Sequence, residues 1–290
     1  MAFVTVAIWG STFVFTKILL VNGLSPAQIF TLRFIIAYIL LLLFEMTFRR
    51  QSFRLFSHSR RDELVMLLLG ISGGSMYFLT ENAAMLYTTA TNTSLIVCSC
   101  PLFAMLLVAL AYRQSEKFTR MQVVGSLIAC AGMAAVVLNG RFVLHLSPKG
   151  DMLAFGACLC WAVYSLLMKT VTERYSTFFI TRKVFFYGLL TILPYYLAFP
   201  GFPSMEVIFS SQVIWNLLFL SVVASMVCFL VWNWVIHQLG AVVATNWVYF
   251  NPITTILFAW WLLNEQITPW FLFGTVLILT GMYLCGRVTK

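Results

Sequence analysis

"WGSTFVFTK", residues 9–17, returns as "WAVYSLLMK" at 161–169. Tryptophan opens both stretches and lysine closes both, at an offset of 152. Farther along, Asn82 matches Asn233, Ala90 matches Ala241 and Pro101 matches Pro252, all at 151. Glu116 matches Glu265, and the Gly-Met step at 132–133 matches that at 281–282, both at 149. A drift of this size is what small loop changes produce. The chain therefore reads as two copies of one unit, about 1–140 and 150–286.

Composition names the solvent. Of 290 residues, 61% are hydrophobic and 9% charged, where a soluble protein carries about 25% charged residues. Polar groups cannot cover such a surface, so lipid must surround much of it. A helix needs roughly 20 mostly apolar residues to cross the hydrocarbon core. Ten such spans are expected: about 2–21, 26–48, 64–87, 90–112, 120–138, 151–172, 177–199, 213–237, 241–263 and 269–286. Helices are required because isolated strands leave backbone groups unpaired in lipid. The first span lacks a basic n-region and a clear cleavage site, so it is not expected to be a cleavable signal. Each copy holds five spans, an odd number, so the second copy enters the membrane upside down. The expected fold is an all-α membrane protein of ten transmembrane helices. They form two inverted five-helix repeats, with a site at the midplane between them.

Lys and Arg set the orientation. The loop 49–61 holds five arginines, and Arg113, Lys117, Arg120, Arg174, Arg287 and Lys290 fall on the same side if spans alternate. The other side has Arg141 and Lys149. The positive-inside rule puts both termini in the cytoplasm. Basic loops facing an anionic leaflet account for the net charge of +9 without any nucleic acid. The seven cysteines all lie in expected spans. Their C-x-C spacing does not share a helical face, so packing is expected and no metal. Nothing in the chain implies a cofactor.

Several residues point to a transport path. Pro101 and Pro252 sit in matching spans, each removing a backbone hydrogen bond, so both helices are expected to kink. Bent or broken helices in corresponding positions mark transport paths. Thr5, Trp9, Thr12 and Thr16 make one polar face of the first span. Trp161, Ser165 and Lys169 repeat it in the sixth span, with Tyr164 alongside. Helix–helix contact is one reading of these stripes; a pocket for an amphipathic or aromatic solute is the other. The runs "TTATNTS", 88–94, and "TNWVYFN", 245–251, add candidates in the proline-bearing spans. The expected cavity set is Trp9, Thr12, Tyr77, Asn82, Trp161, Tyr164, Asn233, Asn246 and Tyr249. Gly125, Gly132, Gly274 and Gly281 favour close helix packing, with a homodimer contact as the alternative.

At this point the sequence resembles the drug/metabolite transporter superfamily, specifically its EamA-type ten-helix exporters. The residues that carry the resemblance are "WGSTFVFTK", the stretch 81–133 from "ENAAMLY" to "ACAGM", and its counterpart from Asn233 to Met282, including "NPITTILFAWWLLNEQ". The loop 113–116 reads "RQSE", where the family usually has a shorter glycine-glutamate turn. The resemblance implies alternating access and movement of small organic solutes, mostly outward. Members handle amino acids, drugs, sugars and other metabolites. The function expected for this chain is secondary export of small metabolites such as amino acids, from a multi-pass protein of the cytoplasmic membrane.

Glu81 stands apart. Its repeat mate is Trp232, so symmetry does not predict it. An ionised side chain at bilayer depth costs about 2.5–3.5 kcal/mol on insertion scales. Lys17 and Arg33 share its expected depth. A buried ion pair with one of them is the preferred reading. A proton-coupling carboxylate and a contact for a cationic solute group are the functional ones. A rival from another class is an intramembrane serine protease, with Ser72 of "GISGG" as nucleophile and His237 as base. No strand–turn–helix context supports such an elbow. No P-loop is present, which argues against direct ATP drive.

Overall fold

Serines open several helices by accepting hydrogen bonds from otherwise orphaned backbone N–H groups. Ser25 and Gln28 form a reciprocal capping box ahead of Pro26. Ser59, Ser147 and Ser176 each accept from the backbone three residues on. The structure, a computed structural model, describes residues 1–49, 53–111, 119–138, 147–199, 201–263 and 269–286. Arg50, Arg113, Glu116, Lys117, the "RQSE" turn, Arg141, Glu265, Arg287 and Lys290 lie outside the described residues.

The described chain is helical, with no strand among the described residues. The helices are α1 (Ala2–Val21), α2 (Pro26–Phe48), α3 (Arg60–Tyr87), α4 (Ala90–Val97), α5 (Cys100–Ala111) and α6 (Arg120–Leu138). After them come α7 (Pro148–Val171), α8 (Thr177–Ala198), the short α9 (Met205–Ile208) and α10 (Ser211–Leu239). The last are α11 (Ala241–Asn246), α12 (Asn251–Leu263) and α13 (Pro269–Gly286). Among the described residues, seven helical stretches are long and apolar enough to cross a membrane. Three shorter apolar helices, Cys100–Ala111, Arg120–Ala135 and Leu272–Cys285, stand where the fourth, fifth and tenth spans are expected.

Both proline-bearing spans are interrupted rather than bent. α4 ends at Val97 and α5 restarts at Cys100, with Pro101 in its first turn. A 3-10 turn, Trp247–Phe250, separates α11 from α12, with Pro252 in the first turn of the latter. At a helix start the missing proline N–H leaves no bond unmade. α3 and α10 each contain a π-helical segment, Ile71–Ser75 and Phe219–Val227. α8 packs on the first and α2 on the second.

Other contacts pair in the same way. α1 packs on α10 and α12, while α7 packs on α3 and α5. α6 and α13 pack closely on each other. A Cβ on Gly132 would lie 2.7 Å from the Gly274 carbonyl oxygen, and one on Gly125 would lie 2.7 Å from that of Gly281. The glycines thus serve a contact inside the chain. The surface confirms lipid as solvent. Large side chains such as Ile39, Leu43, Leu127, Leu272 and Val276 are exposed, while Thr5, Ser11, Thr16 and Ser165 are buried.

Candidate functional site

The two tryptophans of the repeated stretches meet at the centre. Trp9 of α1 and Trp161 of α7 stand edge to face, centroids 5.4 Å apart and planes at 89°. Phe229 of α10 closes the group, 5.6 Å from Trp9 and 6.1 Å from Trp161. Such arrangements match the positive ring edge to the negative ring face. The Trp9 indole N–H is fixed by donation to the Ala224 carbonyl at 2.9 Å, in the π-helical segment of α10. There the backbone is out of α-helical register, which exposes carbonyls to such partners.

These rings wall a small cavity that Thr12, Arg33, Tyr77, Glu81 and Asn251 also line. Its volume is about 30 Å³ for the centres of water-sized spheres, enough for a water molecule or two. Two polar atoms on lining residues, Trp161 Nε1 and Asn251 Oδ1, are buried without a hydrogen-bond partner among the described residues. Most buried polar atoms in proteins are paired, so these two stand out.

Charge enters from two sides. Arg33 is 2% exposed and Glu81 6%. Arg33 Nε donates to the Leu220 carbonyl at 3.1 Å and to Ser225 Oγ at 2.5 Å, both in the π-helical segment of α10. Its guanidinium carbon lies 4.9 Å from the centre of the Phe78 ring. Glu81 Oε1 accepts from the Tyr77 hydroxyl at 3.0 Å, one turn back on α3. Among the described residues Glu81 makes no ion pair with Arg33 or Lys17. Lys17 Nζ instead donates to the Met85 carbonyl at 2.6 Å.

The other expected residues are not among those lining this cavity. Asn233 accepts from the Tyr164 hydroxyl at 2.6 Å and donates to Thr181 at 2.8 Å, while the Tyr164 ring backs Trp161. Asn82 donates to the Pro26 carbonyl at 3.2 Å, joining α3 to the start of α2. Asn246 accepts from Ser126. Tyr249 is fully buried outside the cavity lining. Phe78 and Phe229 were not singled out in the sequence, while Asn251 closes the candidate run 245–251. Phe229 was reachable, since it lies one turn from Asn233 on the same helix face.

A second set of charges is legible only in three dimensions. Where α2 ends and α3 begins, Arg182 Nε donates to Glu45 at 2.5 Å, with side chains 4% and 5% exposed. Lys183 pairs with Glu63, which also accepts from Tyr187. Asp62 pairs with Arg174 at 2.7 Å and accepts from Tyr175 at 2.8 Å. In the α7–α8 connection, burial raises the Tyr175 hydroxyl above its ordinary pKa, and its bond to Asp62 adds to the shift. These contacts tie α8 and the α7–α8 connection to α2 and α3.

The serine–histidine pair does not form. Ser72 donates to the Leu68 carbonyl of its own helix at 2.7 Å, and His237 contacts Gln238 at an exposed helix end. The glycines of "GISGG" allow close approach instead: a Cβ on Gly70 would lie 2.9 Å from the Gly188 backbone nitrogen.

Comparison with known proteins agrees with a membrane transporter. A solved crystal structure superposes with a TM-score of 0.75 at 16% identity, over 98% of this chain and 95% of that one; this bears on the fold alone. An uncharacterized transporter of Archaeoglobus fulgidus is 28% identical, over 97% of this chain and 94% of its own length. A probable amino-acid metabolite efflux pump of Salmonella typhimurium is 27% identical, over 98% and 93%. A probable terminal-alkyne amino-acid exporter of Streptantibioticus cattleyicolor is 26% identical, over 79% and 75%. The model of the EamA-like transporter family matches residues 1–138 and 148–287. The chain is therefore a member of the EamA-like transporter family, a multi-pass protein of the cell membrane.

Proposed function

We propose that the protein is a secondary active exporter of small organic metabolites, amino acids first among them. It works by alternating access around the cavity between Trp9 and Trp161. The observation that carries this reading is the meeting of the two repeated tryptophans at a buried cavity that the charged Arg33 and Glu81 also line. In this reading the chain crosses the membrane ten times, as two inverted repeats with cytoplasmic termini. Support comes from the family model matching once in each half. It comes also from the paired packing of the helices, and from the interruption of two corresponding spans. Relatives named as amino-acid exporters or efflux pumps support the direction and the solute class.

The test is transport in proteoliposomes. Purified protein is reconstituted and offered a panel of labelled amino acids, sugars and amines, with and without a pH gradient. Saturable movement of at least one solute, lost in Trp161→Ala, is the expected result. A panel that leaves wild-type vesicles no different from empty ones would sink the reading.

A further inference from the structure

We propose that Arg33 and Glu81 are the two poles of a clamp for a zwitterion, and that the solute is an amino acid with a bulky apolar or aromatic side chain. This deepens the transporter reading above and rests on it.

The argument starts from two opposite charges that share a cavity without pairing. Both line it, both are almost fully buried, and no ion pair joins them among the described residues. Each is held from behind. Arg33 is held through Nε by Leu220 and Ser225, and its terminal nitrogens make no hydrogen bond among the described residues. Glu81 is held through Oε1 by Tyr77, and its second oxygen accepts no bond among the described residues. Burying a charge without a partner is costly. A structural pair would close the gap, so the free faces point to a third party that carries both charges.

A zwitterion fits both poles at once. Its carboxylate takes the planar fork of the guanidinium, and its ammonium takes the free oxygen of Glu81. A simple amine or a simple acid compensates one pole and leaves the other. A neutral sugar compensates neither. The rest of the wall selects the side chain. Trp9, Trp161 and Phe229 form an aromatic surface suited to a large apolar group. Trp161 Nε1 and Asn251 Oδ1 offer one further donor and one further acceptor. The cavity as it stands has room for a water molecule or two, so the walls part when an amino acid enters, and Arg33 and Glu81, on different helices, separate to receive it.

The test is counterflow of labelled L-phenylalanine in proteoliposomes, with phenethylamine and 3-phenylpropionate as the competitors lacking one charge each. In wild-type protein, unlabelled L-phenylalanine should compete at least about tenfold better than either. Arg33→Gln should abolish the preference over phenethylamine, and Glu81→Gln the preference over 3-phenylpropionate. If Arg33→Gln does not yield folded protein, Arg33→Lys keeps the charge and loses the fork, and should raise the KM for L-phenylalanine. Equal competition by all three compounds in wild-type protein overturns the clamp. So does an unchanged order of preference in both folded glutamine variants. Exchange of sugars or lone amines without L-phenylalanine overturns the clamp and leaves the transporter reading standing. No exchange of any solute brings down both.

Discussion

Two buried glutamates illustrate how the same residue type does different work. Glu45 is locked to Arg182, and both lie away from solvent. Glu81 bonds to a tyrosine and leaves its charge facing a cavity. Removing one partner of a buried pair costs about 3–5 kcal/mol, because the other charge is left uncompensated. Glu45→Gln should therefore lower thermal stability in detergent strongly, and the further change Arg182→Met should restore much of it. Glu81→Gln breaks no ion pair and keeps the hydrogen bond to Tyr77, so its cost should stay below about 1 kcal/mol. Comparable melting losses in Glu81→Gln and Glu45→Gln would show that the Glu81 charge is structural. Arg33, Glu81, Trp9 and Trp161 were legible in the sequence because polar and indole groups stand out in apolar spans. Phe78 was not, and Phe229 only through its place one turn from Asn233. With 27 phenylalanines in the chain, nothing local separates one that lines a cavity from one that faces lipid.

Helices in lipid gain little from apolar burial against one another, so close backbone approach has to supply the contact. The α6–α13 pair depends on this. Gly132 has no room for a Cβ against the Gly274 backbone, so Gly132→Leu must push the two helices apart. Overpacking of that kind costs about 1–3 kcal/mol or more, read as a lower melting point and a smaller folded yield. Gly156 in α7 is the control. A Cβ there would meet Thr80 Cγ2 only at 3.9 Å, and alanine is the better helix former by about 0.5–1 kcal/mol. Gly156→Ala should leave stability unchanged or raise it. A Gly132→Leu protein that melts with the wild type would refute the tight contact. Seven long apolar spans among the described residues were readable from hydropathy, and three shorter apolar helices stand where the other three were expected. The interruptions at Pro101 and Pro252 were readable as a disturbance, though a kink was expected and a restarted helix is observed. The π-helical segments were not readable at all. Their register depends on what packs against them, α2 on one and α8 on the other, and no local propensity encodes that.

At the scale of the whole molecule, the ends of the bundle differ in chemistry. The end where α2 finishes carries the Glu45–Arg182, Glu63–Lys183 and Asp62–Arg174 pairs. The end where α1 meets α2 is joined through Lys17 to a carbonyl and through Gln28 to the Gly201 carbonyl. The positive-inside rule would assign the first end to the cytoplasm, because Arg49, Arg54, Arg60, Arg61 and Arg174 lie there among the described residues. This assignment can be checked directly. Leu55 is 60% exposed at the first end, and Ser204 is exposed at the second. Leu55→Cys and Ser204→Cys each place one thiol at one face. The native cysteines are buried or half-buried, six in helices and Cys98 in the break between α4 and α5, where a charged reagent does not partition. A membrane-impermeant maleimide added to intact cells should label Ser204→Cys and spare Leu55→Cys until the membrane is opened. The reverse pattern would turn the molecule over.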